Sequence, residues 1–347
     1  MDGNGLRHPP LSPGQIDALH RHADLGDLTL ESGAVIHDFR QSYVVHGKLD
    51  AERSNAILVC ASLTGNHHRL DFLIGPGRAL DPDRYCIIVT DPIGNGLSTS
   101  PSNSTRQPGM AFPRFVIRDM VHAQHRLLTE VLGIPRLHAV VGASMGGMQA
   151  LQWAVSHPDF MTACVAMTPM ARTSPWAILV TETARSCLMA DPGWNGTQFT
   201  AVPERGWRAY AGLMSVLLSR TPKALDQTLD GLDASHRWFE QSVRQVHSNA
   251  FDATDYLYQS WAYETHDVGT TSGHTATDAA LAAVRARTLI LAPPLDLFNP
   301  VENAHSTAAA VPNVRLVEIP SVQGHQAATS LMEEDANAIN RAIREFL

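Results

Sequence analysis

The chain has 347 residues, of which 44% are hydrophobic and 17% are charged, as is usual for a globular protein. Its formal net charge is −8 and it contains no run of Lys and Arg, so we expect neither nucleic acid nor an anionic membrane as a partner. No apolar run approaches the roughly 18 residues of a membrane span, and the start "MDGNGLRHPPLSPGQ" lacks the pattern of a signal peptide. We therefore expect a soluble, cytoplasmic protein that acts on small molecules.

The first predicted elements are two alternating segments, "LTLESGAVI" and "FRQSYVVHG", which favour an antiparallel hairpin at the edge of a sheet. Six short apolar runs further along the chain are predicted as buried strands. Their nearly continuous hydrophobicity is typical of parallel strands covered on both faces. The six runs are 54–62, 84–91, 136–144, 162–169, 287–294 and 314–321.

Segments of helical character separate these strands, which predicts an α/β fold with a mostly parallel, doubly wound sheet. The clearest of them are 115–132, 146–157, 301–310 and 331–346. The alternation stops between 171 and 285, where strand-like runs are nearly absent and tryptophans supply large apolar anchors. These are Trp176, Trp194, Trp207, Trp238 and Trp261. We therefore predict a core formed by 1–170 and 286–347, with a helical lid inserted at 171–285.

The stretch "VVGASMGGMQALQW" at 140–153 contains the pattern G-x-S-x-G around Ser144. The pattern alone is weak, because a chain of this length contains it by chance roughly one time in ten. Its context is more specific, since a predicted strand runs into it and a predicted helix leaves it. Gly142 and Gly146 remove Cβ atoms that would clash in such a sharp turn. We therefore predict that Ser144 is a nucleophile; the alternative is a serine in an ordinary glycine-rich turn.

A serine nucleophile needs a base and an orienting acid, which in α/β-hydrolases follow in the order Ser, Asp or Glu, His. Asp296 comes directly after the strand predicted at 287–292, and His325 lies in a loop after the last predicted strand. We predict that Asp296 is the acid and His325 the base. The alternatives are a helix N-cap carboxylate and a surface-loop histidine, respectively.

An oxyanion hole requires backbone amides from the loop after an early strand and from the residue after the nucleophile. The loop "ASLTGNHH" and the turn at Ser144 make the amides of Leu63 and Met145 our candidates. His122 and His125 share one helix face, but no third ligand accompanies them. We therefore predict no metal site and no bound cofactor.

These motifs resemble those of the homoserine O-acetyltransferase family of α/β-hydrolase-fold proteins. "ASLTG" is similar to the family's "ALTG" loop, "GASMGGMQALQWA" to its strand-to-helix turn, and the lid segments 182–196 and 251–268 to family lid segments. Similarity extending into a lid is more specific than any triad motif. The resemblance implies the nucleophile, acid and base roles of Ser144, Asp296 and His325, and a homodimer formed through the lid helices.

Two departures from the family bear on the substrate. Family members carry an arginine in one lid helix that binds the amino-acid carboxylate, with a supporting tyrosine; the corresponding positions here are Ala211 and Leu218. Arg208 or Arg220 could replace that arginine only with a shifted register. The loop "DPIGNGLSTSPSN" at 91–103 also differs from the family's usual "NVLGGCRGSTGPSS". These departures favour resemblance to acetyl-ester hydrolases, in which water replaces the amino-acid hydroxyl.

The predicted activity is hydrolysis of small, acetyl-type esters through a Ser-His-Asp triad and an acyl-enzyme. The alternative is transfer of an acetyl group to homoserine or another small alcohol, with acetyl-CoA as co-substrate. A third hypothesis is a non-catalytic relic that only binds ligands, against which the ordered Ser, Asp and His argue.

Overall fold

The computed structural model of the protein describes residues 11–248 and 251–347, so residues 1–10 of the predicted core and residues 249–250 of the predicted lid lie outside the described residues. Within the described part, the chain forms one sheet of eight strands. In chain order they are β1 (Arg21–Thr29), β2 (Val35–His46), β3 (Ala56–Cys60), β4 (Cys86–Thr90), β5 (Leu137–Ala143), β6 (Met161–Met167), β7 (Arg287–Ala292) and β8 (Val314–Glu318).

The order across the sheet is β1-β2-β4-β3-β5-β6-β7-β8. β1 and β2 form an antiparallel hairpin at one edge, and β2 also pairs antiparallel with β4. All the remaining neighbouring strands are parallel. The predicted mostly parallel α/β sheet with an antiparallel hairpin at its N-terminal edge is therefore confirmed. The predicted hairpin strands are wrong: "LTLESGAVI" contains the turn, with Leu28 paired to Ile36, and the strand that pairs with "FRQSYVVHG" is the preceding β1.

Helices connect the strands and form the segment between β6 and β7. The α-helices of the described residues are α1 (Ile117–Arg126), α2 (Met145–Ser156), α3 (Pro175–Met189), α4 (Glu204–Met214), α5 (Pro222–Thr228), α6 (Gly231–Ser248), α7 (Ala253–Glu264), α8 (Thr277–Ala282), α9 (Val301–Ala310) and α10 (Glu333–Phe346). α3 to α8 therefore fall within the segment predicted as a lid. None of the described helices combines the length and the apolar character that crossing a membrane requires.

The core lies on both faces of the sheet, because successive strand residues point to opposite sides. Leu58 of β3 belongs to an apolar cluster that includes residues of α1 and α2, whereas its neighbour Ile57 belongs to a second cluster with residues of α10. β3, β4 and β5 are buried along almost their whole length. The doubly wound arrangement thus places the carboxyl ends of β3 and β5 side by side, where ligands bind in open α/β sheets.

Two predictions of burial are wrong. β8 is only partly buried at Val314 and Leu316, because it lies at the edge of the sheet with β7 as its single neighbouring strand. Trp176 is 48% exposed on α3, although its indole N–H donates to the carbonyl of Leu297 at 2.6 Å. Of the five tryptophans expected to anchor the lid, Trp207 is the fully buried one.

Candidate active site

Ser144 occupies a strained turn between β5 and α2. Its backbone has φ +57° and ψ −123°, a conformation that side-chain-bearing residues rarely adopt and that clusters at functional sites. The turn needs its glycines: a Cβ on Gly142 would collide with the carbonyl of Gly146, and a Cβ on Gly146 with that of Cys60. The backbone therefore holds Ser144 at the N-terminus of α2, where the helix dipole favours negative charge.

His325 and Asp296 lie next to Ser144 although they are far from it in the sequence. Asp296 follows β7, and His325 lies in a short 3-10 turn, Gly324–Ala328, that follows β8. His325 Nε2 is 2.9 Å from Ser144 Oγ, and His325 Nδ1 is 2.7 Å from Asp296 Oδ2. All three residues are only 4% exposed.

The hydrogen-bond partners define the proton positions in the neutral imidazole. An ionised carboxylate can only accept, so His325 Nδ1 carries the proton and donates it to Asp296. His325 Nε2 is then the acceptor for the Ser144 hydroxyl. This arrangement prepares Ser144 Oγ to lose its proton to His325.

The second oxygen of Asp296 is held by the backbone. Asp296 Oδ1 accepts the amide N–H groups of Phe298 at 2.8 Å and Asn299 at 2.9 Å. The Asn299 side chain in turn donates to the carbonyl of Thr168 at 2.7 Å and accepts the Tyr263 hydroxyl at 2.5 Å. Asp296 is thus oriented with Oδ2 toward His325, and Tyr263 connects the lid helix α7 to this support.

The loop after β3 lies against the turn at Ser144. The Ser62 hydroxyl donates to the carbonyl of Ala143 at 2.8 Å, and the Gln149 side chain donates to that of Ala61 at 3.0 Å. Among the described residues, neither the Leu63 N–H nor the Met145 N–H donates to an acceptor in the chain. Both amides therefore remain available to an oxygen of a ligand.

A buried carboxylate supports the same loop from the side of β4. Asp91 Oδ1 accepts the backbone N–H of His67 at 2.9 Å and the Asn95 side chain at 3.2 Å. Burial alone would raise the pKa of Asp91, but the charge of His67 and hydrogen bonds from His20, His67 and Ser42 hold that pKa well below its usual range. Asp91 is therefore a buried anion fixed by its neighbours.

Ligand atoms of His20, His67 and Asp91 lie within 4.8 Å of one another, the one such group that the described residues contain. The Ser42 hydroxyl bonds to both His20 and Asp91 between them, so hydrogen bonds already account for this geometry. His125, which the sequence raised as a metal ligand, instead stacks on His157 with ring centroids 4.2 Å apart.

A cavity of about 890 Å³ opens between the candidate site and the lid. Thr64, next to Leu63, and Gln326, next to His325, line its inner side, and residues of α4 and α6 line its outer side. Leu218 and Arg220 also line it, and Arg220 donates to Gln323. The rest of the wall mixes apolar side chains, such as Trp207 and Met214, with polar ones, such as Arg237 and Gln241.

The positions that the family resemblance assigned to a carboxylate clamp carry none. Ala211 is completely buried and has no polar side-chain atom. Arg208 pairs with Glu240 at the surface and is not part of the cavity wall. Arg220 is thus the one of the two alternative arginines that reaches the cavity.

Sequence analysis missed Gln259, a completely buried polar residue of α7. Its side chain accepts the N–H of Thr64 at 2.9 Å and donates to the carbonyl of Ile93 at 3.1 Å. The available signal was the pair Asp255 and Gln259, four residues apart and hence on one helical face among apolar neighbours.

Comparisons with known proteins agree with this fold. Residues 55–323 match the family described as the alpha/beta hydrolase fold. The chain is 32% identical over 335 residues to a homoserine O-acetyltransferase of Chlorobium chlorochromatii, covering 91% of this chain and 92% of that protein. It is 35% identical over 317 residues to an ethyl acetate hydrolase of Pseudomonas veronii, covering 87% and 88%. The solved structure of the acetyl esterase MekB matches with a TM-score of 0.89 at 30% identity, covering 94% and 96%.

Each of these three relatives matches over most of both chains. The protein is therefore an enzyme of the α/β-hydrolase superfamily and belongs to the homoserine O-acetyltransferase family, to which acetyl esterases are also related.

Proposed function

We propose that the protein hydrolyses small, acetyl-type esters through a Ser144–His325–Asp296 triad. The observation that carries the proposal is the continuous pair of hydrogen bonds, 2.9 Å from Ser144 Oγ to His325 Nε2 and 2.7 Å from His325 Nδ1 to Asp296 Oδ2. Such an arrangement activates a hydroxyl that is otherwise a poor nucleophile at neutral pH.

In the first half of the proposed reaction, His325 Nε2 takes the proton of Ser144 as Oγ attacks the ester carbonyl carbon. The Leu63 and Met145 amides donate to the resulting oxyanion. His325 then returns the proton to the alcohol oxygen as the C–O bond breaks, which leaves an acyl group on Ser144. Asp296 stabilises the imidazolium that forms in between.

In the second half, water attacks the acyl-enzyme while His325 accepts its proton. The tetrahedral intermediate collapses, Ser144 recovers its proton from His325, and the acid is released. Water is the proposed acceptor because Ala211 and Leu218 offer no group that would orient an amino-acid alcohol, and an arginine–carboxylate pair would be a strong, orienting contact.

The second candidate function is acetyl transfer from acetyl-CoA to homoserine or another small alcohol. Arg220 favours it, because this cation lines the cavity beside Gln326. Relatives named homoserine O-acetyltransferase also favour it, at identities similar to that of the ethyl acetate hydrolase. The two functions use the same proposed triad and acyl-enzyme. They differ in the acyl donor, an ester or acetyl-CoA, and in the acceptor, water or a small alcohol. The homodimer and the absence of a bound cofactor stay predictions under both.

A paired assay distinguishes the two functions. One arm follows hydrolysis of p-nitrophenyl acetate and ethyl acetate; the other follows CoA release from acetyl-CoA with and without L-homoserine, with identification of the product. Ester hydrolysis without homoserine-dependent CoA release supports the hydrolase. Homoserine-dependent release with formation of O-acetylhomoserine overturns it in favour of the transferase. If a fluorophosphonate probe also fails to label Ser144, the non-catalytic hypothesis is supported.

A further inference from the structure

The turn that carries Leu63 holds a residue in an unfavourable conformation. Gly65 N–H donates to the carbonyl of Ser62 at 2.9 Å, so Leu63 and Thr64 are the central residues of a β-turn. Thr64 has φ +57°, in a turn position that favours glycine, and a β-branched residue is a genuine outlier there. Such strain persists only where surrounding contacts impose it.

Gln259 supplies such a contact from the lid. Its Oε1 accepts the Thr64 N–H at 2.9 Å, while its Nε2 donates to the carbonyl of Ile93 at 3.1 Å. The amide is completely buried, so breaking either bond would leave a polar group unpaired away from water. The oxygen and the nitrogen of the Gln259 side-chain amide therefore connect α7 to the loops after β3 and β4, respectively.

Two further hydrogen bonds hold α7 against the same loop after β4. Asp255, one helical turn before Gln259, accepts the Ser102 N–H at 2.9 Å and the Ser102 hydroxyl at 2.5 Å. Gly94 has φ +81°, and a Cβ there would lie 3.3 Å from Gln259 Cγ, so the loop leaves room for the glutamine. Gln259 consequently reaches Thr64 from a helix that is itself held in place.

We propose that Gln259 is a positioning residue for the oxyanion hole, acting on the Leu63 amide through Thr64. Without the bond to Gln259, the peptide between Leu63 and Thr64 is free to flip, which replaces the positive φ of Thr64 by the negative φ that threonine prefers. The Leu63 N–H belongs to the preceding peptide, between Ser62 and Leu63, so the flip acts on it indirectly. The turn repacks around the flipped peptide, which shifts the Leu63 amide in the site. The inference rests on the proposed function only in taking Leu63 as an oxyanion donor.

The first test compares Gln259→Met with the matched control Gln152→Met. Gln152 is an equally buried glutamine, bonded to the hydroxyls of Ser156 and Thr271 instead of to the catalytic loops. Loss of one oxyanion donor costs about a hundredfold in kcat, so partial displacement in Gln259→Met is expected to lower kcat by roughly tenfold or more. KM for p-nitrophenyl acetate stays within about threefold, and Gln152→Met keeps kcat near the wild-type value.

An analogue that forms an oxyanion separates positioning from general destabilisation. A trifluoromethyl ketone adds to Ser144 as a hemiketal whose oxyanion occupies the hole, so its affinity should fall by the same factor as kcat in Gln259→Met. The proposal is overturned if kcat and ketone affinity both stay within about twofold of wild type, or if Gln152→Met loses as much of each.

Thr64→Gly provides a second route that does not depend on how well Gln259→Met folds. Glycine adopts positive φ without strain, so the turn no longer depends on Gln259. We expect Gln259→Asn, whose amide is one methylene too short to span both loops, to lower kcat less in the Thr64→Gly background than alone. Equal losses in both backgrounds contradict the proposal.

The same variants can be tested without a natural substrate. Fluorophosphonate labelling of Ser144 also passes through an oxyanion-like state, so Gln259→Met should slow labelling by roughly tenfold even if wild type proves to be a transferase. An unchanged labelling rate in Gln259→Met overturns the proposal. Absence of labelling in the wild type instead overturns the proposed function itself.

Discussion

The sheet core and the lid contribute different things to the candidate site. The proposed nucleophile, base and acid all follow core strands, and the strands before Ser144 and Asp296 are almost completely buried. The lid contributes the outer cavity wall and a few hydrogen bonds, and its helix α6 is largely exposed, with Leu232 at 71%. The proposed reacting groups thus follow buried strands, whereas part of the cavity wall belongs to a largely exposed helix.

This difference suggests how one family contains both acetyltransferases and acetyl esterases. Under the proposed mechanism the core loads an acyl group onto Ser144, and we expect the cavity wall at Leu218 and Arg220 to select the acceptor. This division of roles is wrong if lid substitutions lower kcat by the same factor for every substrate. It is also wrong if core substitutions change only which substrate is preferred.

The largest expected effect is that of Ser144→Ala, which removes the proposed nucleophile from the core. Turnover of p-nitrophenyl acetate should fall by about 10⁴-fold or more. The free energy of unfolding, measured in urea, should change by no more than about 1 kcal/mol, because only one hydrogen bond is lost. Near-wild-type turnover would refute the role of Ser144.

Asp296→Asn should have the next largest effect. The Phe298 and Asn299 amides would bind the oxygen of the new side chain, so its NH₂ group would face His325 Nδ1. His325 would then carry its proton on Nε2 and could not accept one from Ser144. We expect kcat to fall by roughly 10⁴-fold with little change in KM. A loss confined to KM would mean that Asp296 acts on binding instead.

A lid substitution should change selectivity without changing the chemical step. Leu218→Trp fills part of the cavity, so kcat/KM for a bulky acetate ester should fall by about tenfold, while that for ethyl acetate changes little. Val216→Trp is the matched control, because Val216 lies in the same turn but is 46% exposed and outside the cavity wall. An equal fall in kcat for both esters would show that the lid participates in the chemistry.

Local patterns in the sequence sufficed to predict the sheet, the turn at Ser144 and the positions after strands where Asp296 and His325 lie. The contacts of Gln259 were not predictable, because its partners Thr64 and Ile93 are 195 and 166 residues away in the chain. Trp176 was mispredicted for a related reason: its side chain is large and apolar, but its exposure depends on which neighbours the lid places beside it.

His157, a half-buried histidine at the C-terminal end of α2, should make the stability of the protein fall at acid pH. Burial, together with the nearby charges of His125 and His122, lowers the pKa of His157 from 6.5 to about 4. As pH falls from 6.5 to 4, the unfolded chain binds a proton that the folded chain does not, so stability is lost on acidification. His157→Phe should remove at most about 3 kcal/mol of the difference in unfolding free energy between pH 7.5 and pH 4. Parallel pH profiles for the two proteins would contradict this.

The Asp255 carboxyl, at the junction of lid and core, should make stability depend on pH in the opposite direction. Burial, and secondarily the nearby charge of Asp252, raises the pKa of Asp255 well above its usual value. Above about pH 4 the unfolded chain loses this proton while the folded chain still holds it, so stability is lost as pH rises. Asp255→Asn preserves an acceptor for the Ser102 N–H and cannot ionise, so its stability relative to wild type should increase between pH 4 and pH 7. If that difference stays constant with pH in urea unfolding, the protonation of Asp255 does not change on unfolding, and the carboxyl contributes the same stability to the junction of lid and core at every pH in this range.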